Sequence, residues 1–176
     1  MSDKKALVVV DLQNDFLWDK RKPMFSYDTK ELISSVNMAI ASYKENGYDI
    51  IYIRQLYPNI ITNKWFIGFA IKGTAGADLY DRLEVVSDHI FEKYLPNTYT
   101  SAAFREYMNK QGFTEVVLCG VDECGCVGAT AKGAVKAGME TYMLKDCIGC
   151  RFPRSKQDKM RRKLEKIGVK YISTSI

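Results

Sequence analysis

The apolar positions of this chain follow two periods in turn. Short runs that are apolar at nearly every position read as buried strands, at Ala6–Val10, Asp49–Arg54, around His89–Glu92, Val116–Cys119, Glu140–Lys145 and Val169–Ser173. Between them, apolar residues recur three and four positions apart, as on one face of a helix. Leu32, Ile33, Val36, Ala39, Ile40 and Tyr43 mark a helix that Asp28 or Thr29 can cap and that Asn46-Gly47 stops near Glu45. Ser101–Gln111 reads as a helix ended by Gly112, and Arg154–Ile167 as an amphipathic helix ended by Gly168. From about Cys126 to Ala137 the small residues Gly128, Ala129, Ala131, Gly133 and Ala134 predict a helix lying close against a sheet, closed by Gly138. Strands alternating with helices predict a three-layer αβα domain, residues 1–176, around a mostly parallel six-stranded sheet. Residues 12–27 read as a loop over the crevice at the strands' carboxyl ends. Residues 55–84, with Tyr57, Trp65, Phe66 and Phe69 among glycines, follow neither period; such a stretch serves a pocket, an interface or both.

Composition narrows the class. With 176 residues, 47% hydrophobic and 27% charged, the chain can bury a core without staples. The net charge of +5 is scattered apart from Lys156–Lys166, a run that fits a solvated helix face better than a nucleic-acid footprint. No apolar stretch approaches the roughly 20 residues that cross a bilayer. The opening MSDKKALVVVD meets an acid after five apolar residues, too soon for a signal peptide. A cytoplasmic protein is expected, with its five cysteines as free thiols or ligands and not disulfides.

Three chemistry-bearing groups fall at strand ends: Asp11 after the first, Lys93 after the third and Cys126 after the fourth. In a parallel sheet such ends converge although far apart in sequence. Asp11 alone reads equally as a helix cap or an acid. A thiol needs a base to become a nucleophile, and a carboxylate can take its proton. An ammonium, and the amino end of the helix that Cys126 begins, would favour the thiolate and lower the thiol's pKa. Backbone N–H groups of the turn Gly120–Gly125 can stabilise a developing oxyanion.

These residues carry a resemblance over nearly the whole chain. Ala6-Leu7-Val8-Val9-Val10-Asp11-Leu12-Gln13-Asn14-Asp15-Phe16, then Lys93 with Ser101-Ala102-Ala103-Phe104, then Gly120-Val121, Cys126-Val127, Thr130-Ala131, Gly138 and Asp146 resemble the isochorismatase-like cysteine hydrolases. That family includes nicotinamidases, N-carbamoylsarcosine amidase and the isochorismatases. The resemblance implies an isochorismatase-like fold and a catalytic triad of Asp11, Lys93 and Cys126. It also implies a cis peptide at Val121–Asp122 and an oxyanion hole from the N–H groups of Asp122 and Cys126. The implied reaction cleaves a C–N bond of a small amide or carbamoyl compound through a thioester, in a homodimer or homotetramer. Phe16, Tyr57 and Trp65 are the candidate substrate-binding residues.

The sequence departs from the family in two places. Nicotinamidases resembling this chain hold a metal after the second strand on an Asp and two His; here the stretch is Arg54-Gln55-Leu56-Tyr57-Pro58, and His89 is the one histidine. That site cannot be assembled, so no metal or other cofactor is expected and nicotinamide is not the expected substrate. The retained cysteine argues against isochorismate. Asp122 and Glu123 replace the usual small residue and Thr, and two acids would raise a nearby thiol's pKa unless paired or turned away. Cys124-Gly125-Cys126 and Cys147-Ile148-Gly149-Cys150 would gather four thiols at adjacent strand ends, as buried filler, a redox pair or a zinc site. Cys119 reads as core, His89 as structural and Asp146 as a cap or loop anchor. The rival readings are a binding or scaffold protein without turnover, and a thiol redox protein using Cys124, Cys126, Cys147 and Cys150.

Overall fold

The computed structural model describes residues 4–174. Six strands form one sheet, β1 Lys4–Val10, β2 Asp49–Gln55, β3 Ile90–Lys93, β4 Phe113–Val121, β5 Glu140–Gly149 and β6 Lys170–Ile172. Their order is β3-β2-β1-β4-β5-β6 and every pairing is parallel, where the sequence suggested only a mostly parallel sheet. The helices are α1 Asn14–Leu17, α2 Thr29–Glu45, α3 Ile61–Phe66, α4 Ala102–Gln111, α5 Cys126–Lys136 and α6 Arg154–Glu165.

Strand β1 explains the layering. Ala6 to Val10 are fully buried, and the pleat sends alternate side chains to opposite faces. Leu7 and Val9 join Val36 and Ile40 of α2 in one core; Ala6, Val8 and Val10 join Phe104, Met108, Val127 and Ala131 of α4 and α5 in the other. A strand covered on both sides must be apolar at every position, which is why it shows no alternation. Asp28 caps α2 by accepting the Glu31 amide at 3.0 Å, and Gly112 ends α4 in the left-handed conformation (φ 73°).

The first three strands are laid down from β1 toward one edge and the last three from β4 toward the other. The order therefore reverses between β1 and β4, and a crevice opens beyond their carboxyl ends. Gly120 lets these strands close up there: it has φ 112°, and a Cβ would collide with the Val10 carbonyl. Asp11 follows directly, itself at φ 55°, a region that Asp tolerates better than most residues.

Four expectations shift in detail. Strand β5 runs on to Gly149, past a register irregularity between Leu118 and Gly120. The last helix stops at Glu165, two residues before the expected end, and the last strand spans Lys170–Ile172. The 55–84 segment contains α3 and a short 3-10 turn at Ala75–Ala77. It is folded back on itself by backbone hydrogen bonds from Tyr57 to Ala70 and from Lys72 to Tyr57, and tied to the rest of the fold by the Ala70 amide donating to Asp15 Oδ2 at 2.7 Å. Among the described residues, no helix is long and apolar enough to cross a membrane.

Candidate active site

The carboxyl ends of β1, β2, β3 and β4 bring Asp11, Gln55, Lys93 and Cys126 together. Lys93 has a fully buried side chain and donates from Nζ to Asp11 Oδ2 at 2.8 Å and to Gln55 Oε1 at 2.7 Å. Gln55 is fixed in turn: its amide donates to Gln13 Oε1 at 2.8 Å, and Gln13 Nε2 donates to the carbonyls of Gln55 and Ala77. The other oxygen of Asp11, Oδ1, is buried and has no hydrogen-bond partner among the described residues. The Cys126 thiol lies close enough to interact with both Asp11 and Lys93.

The electrostatics depart from the sequence reading. Burial pushes the Cys126 thiol well above its ordinary range; Asp11 adds to the rise and Lys93 opposes it. The lowered thiol pKa expected from the ammonium and the helix end is thus corrected, because burial of the thiol outweighs a cation already paired with a carboxylate. Burial likewise raises the Asp11 carboxyl against the pull of Lys93. Burial works against the charge on Lys93, yet Asp11 and Cys126 hold its ammonium above the ordinary value.

A cavity of about 200 Å³ opens over this floor, with Asp11, Gln55 and Cys126 at its base and Phe16, Tyr57 and Phe69 among its walls. Phe16, Phe25 and Phe69 meet edge to face at centroid separations of 4.9 to 5.7 Å. Arg151 also faces the cavity, its guanidinium over the Phe25 ring at 5.4 Å and its Nε buried without a partner. Phe16 and Tyr57 thus stand where a substrate-binding residue would. Trp65 does not: it lies on α3, 82% exposed and outside the cavity. The residues α3 presents to the core are too few to bury its aromatics, and nothing in residue type alone distinguishes Trp65 from Phe69.

Both acids of the turn are engaged by partners. The Asp122 carboxylate accepts the Cys124 amide at 2.8 Å on Oδ1, and the Tyr27 hydroxyl at 3.1 Å and Arg151 amide at 2.7 Å on Oδ2. Glu123, fully buried, is held by Arg161 at 2.7 and 3.1 Å and by Gln157. The peptide Val121–Asp122 is cis. The amides of Glu123, Gly125 and Val127 each donate to a backbone carbonyl. Those of Asp122 and Cys126 have no protein acceptor among the described residues.

The four thiols do not gather. Cys124 and Cys150 approach to 3.7 Å, but Cys147 turns to the opposite core beside Thr174, because three positions along a strand reverse the face. Cys119 is buried against the Val8 carbonyl. Asp146 accepts the Thr174 amide and so anchors the chain end of the described residues, capping no helix. Nor is the stretch after β2 built for a metal. Arg54, next to last in that strand, is paired with Asp78 at 3.1 Å and Glu92 at 3.0 Å, and His89 sits against Tyr107.

The site residues that the sequence did not single out are Gln13, Gln55, Phe25, Tyr27 and Arg151. Gln13 lay within the quoted first motif, and only its pairing with Gln55 reveals its use.

Against known families, residues 5–175 match the isochorismatase domain. The crystal structure of a pyrazinamidase of Pyrococcus horikoshii in complex with zinc is 26% identical and superposes with a TM-score of 0.83, covering 97% of this chain and 99% of that one. An uncharacterized isochorismatase family protein of Bacillus subtilis is 26% identical over 167 residues, 90% of this chain and 80% of its own. A probable inactive nicotinamidase of Arabidopsis thaliana is 26% identical over 142 residues, 74% of this chain and 72% of its own.

Proposed function

The chain belongs to the isochorismatase family of hydrolases, and from that premise we propose that it is a cysteine hydrolase cleaving the C–N bond of a small amide or carbamoyl compound. The observation that carries this reading is the Asp11 carboxylate at the cavity floor. One oxygen is clamped by Lys93, the other is buried with no hydrogen-bond partner among the described residues, and a thiol stands beside it.

In this reading Cys126 rests as a neutral thiol. Asp11 takes its proton as the sulfur forms a bond to the carbonyl carbon, and the C=O electron pair moves onto oxygen. The amides of Asp122 and Cys126 then stabilise that oxyanion. The pair returns as the C–N bond breaks, and Asp11 passes the proton to the leaving nitrogen. Water, deprotonated by Asp11, hydrolyses the thioester and restores the thiol. Lys93 keeps the carboxylate ionised and aimed, and Gln13 and Gln55 hold Lys93.

A cavity of about 200 Å³ suits a small substrate. The test is a panel of small amides and carbamoyl compounds assayed for release of amine or ammonia, with the acyl adduct on Cys126 sought by mass spectrometry. Turnover with a Cys126 adduct, absent in Cys126→Ser, supports the reading; turnover that survives in Cys126→Ser contradicts it. Ile61, Trp65 and Phe66 of α3, all exposed, support assembly with further copies as a dimer or tetramer. Crosslinking that traps oligomers yet leaves α3 untouched would oppose a part for α3 in that interface.

A further inference from the structure

Beside the turn that leads into Cys126, two thiols and a carboxylate meet without a part in the hydrolysis described. Cys124 Sγ and Cys150 Sγ are 3.7 Å apart. Together with a carboxylate oxygen of Asp122, these atoms all lie within 4.8 Å of one another. Metal–sulfur bonds of about 2.3 Å at tetrahedral angles place two thiolates roughly 3.8 Å apart around zinc, so the sulfurs already stand at the spacing of two ligands.

We infer that Asp122, Cys124 and Cys150 form a binding site for one thiophilic divalent cation of the zinc class.

Four further features fit. The carboxylate is oriented from outside by Tyr27 and by the amides of Cys124 and Arg151, the kind of outer shell that ligating groups keep. Its Oδ1 accepts one hydrogen bond, leaving a lone pair for a metal. Asp122 and Glu123 set a negative field at Cys124, and such a field favours a cation. The thiols are half-buried, open enough for an ion to enter. Binding exchanges two thiol protons for the ion, with no oxidation: a dication and two thiols give a metal dithiolate and two protons. The ion would tie the turn before Cys126 to the end of β5. The site lies away from the stretch after β2, and with three protein donors it leaves a fourth position open.

The experiment uses the full chain, reduced and stripped with a chelator, titrated with cadmium and with zinc alone. The readouts are stoichiometry, the ultraviolet charge-transfer band of cadmium–thiolate bonds, and thermal stability. The expected result is one ion per chain and a band that persists in Cys126→Ser. Cys124→Ser and Cys150→Ser should each weaken binding by more than the roughly 10- to 100-fold typical of an outer-shell change, while circular dichroism shows both variants folded. Binding unchanged in those two variants, a band lost only in Cys126→Ser, or no saturable binding would each overturn the assignment. So would conversion of the pair to a disulfide by a hydroperoxide with no metal uptake by the reduced form.

Discussion

Asp11 and Asp122 follow neighbouring strands, β1 and β4, and both are almost wholly buried, at 2% and 7% exposure. The chain treats them differently. Asp122 has both oxygens engaged, by one backbone amide on the first and by a phenol and a second amide on the other. Asp11 has one oxygen engaged and one without a hydrogen-bond partner among the described residues, and it shares the cavity with a thiol. A buried carboxylate held on both oxygens is fixed in place, whereas one with an oxygen left unengaged beside a thiol is poised to exchange a proton. Glu123 belongs with Asp122: fully buried, but met by Arg161 and Gln157. Both acids of the turn are thus held in place by partners of their own.

Substitutions that exchange these roles break the comparison most sharply. Asp11→Asn keeps size and most hydrogen bonding but cannot take a proton. It is expected to lower kcat by about 10²- to 10⁴-fold while circular dichroism shows it folded, and the Lys93 ammonium, left buried without its counter-charge, lowers the unfolding midpoint as well. Glu123→Ala should cost stability without that loss of turnover. It strands Arg161 and Gln157, and it should cost up to about 3 kcal/mol in denaturant unfolding, a value tempered because Arg161 is a quarter exposed. Tyr27→Phe removes one hydrogen bond to Asp122 and is expected to cost about 1 kcal/mol, read in the same unfolding assay. Trp65→Ala, outside the cavity, should change stability by no more than about 0.5 kcal/mol and leave KM unchanged in the amide assay.

What the sequence made legible follows from the same physics. A parallel sheet with both faces covered demands continuous apolar runs, so β1 and β4 could be read directly. Where such runs end, topology makes the ends meet, so Asp11, Lys93 and Cys126 could be named without knowing any contact. The pairing of Gln13 with Gln55, and of Tyr27 and the Arg151 amide with Asp122, has no period and no fixed spacing. It depends on how the 12–27 and 55–84 segments fold back, and residue type does not encode that. For the same reason Phe16 and Tyr57 turned toward the cavity while Trp65 turned to solvent. The thiol's electrostatics were misjudged because a neighbouring ammonium is visible in sequence, whereas the depth of its burial is not.

The most direct test of this account is the pH dependence of Cys126 alkylation by iodoacetamide in reduced, chelator-treated protein, with the labelled peptide identified by mass spectrometry. Burial and Asp11 raise the thiol and Lys93 lowers it, so the signs are fixed. The wild-type midpoint should lie above the ~8.5 of a free thiol. Asp11→Asn, which deletes the negative neighbour, should move it down even as turnover collapses, and Lys93→Met should move it up. A wild-type midpoint below that of a free thiol, or an Asp11→Asn midpoint that rises or stays put, would contradict a neutral thiol held beside a waiting carboxylate.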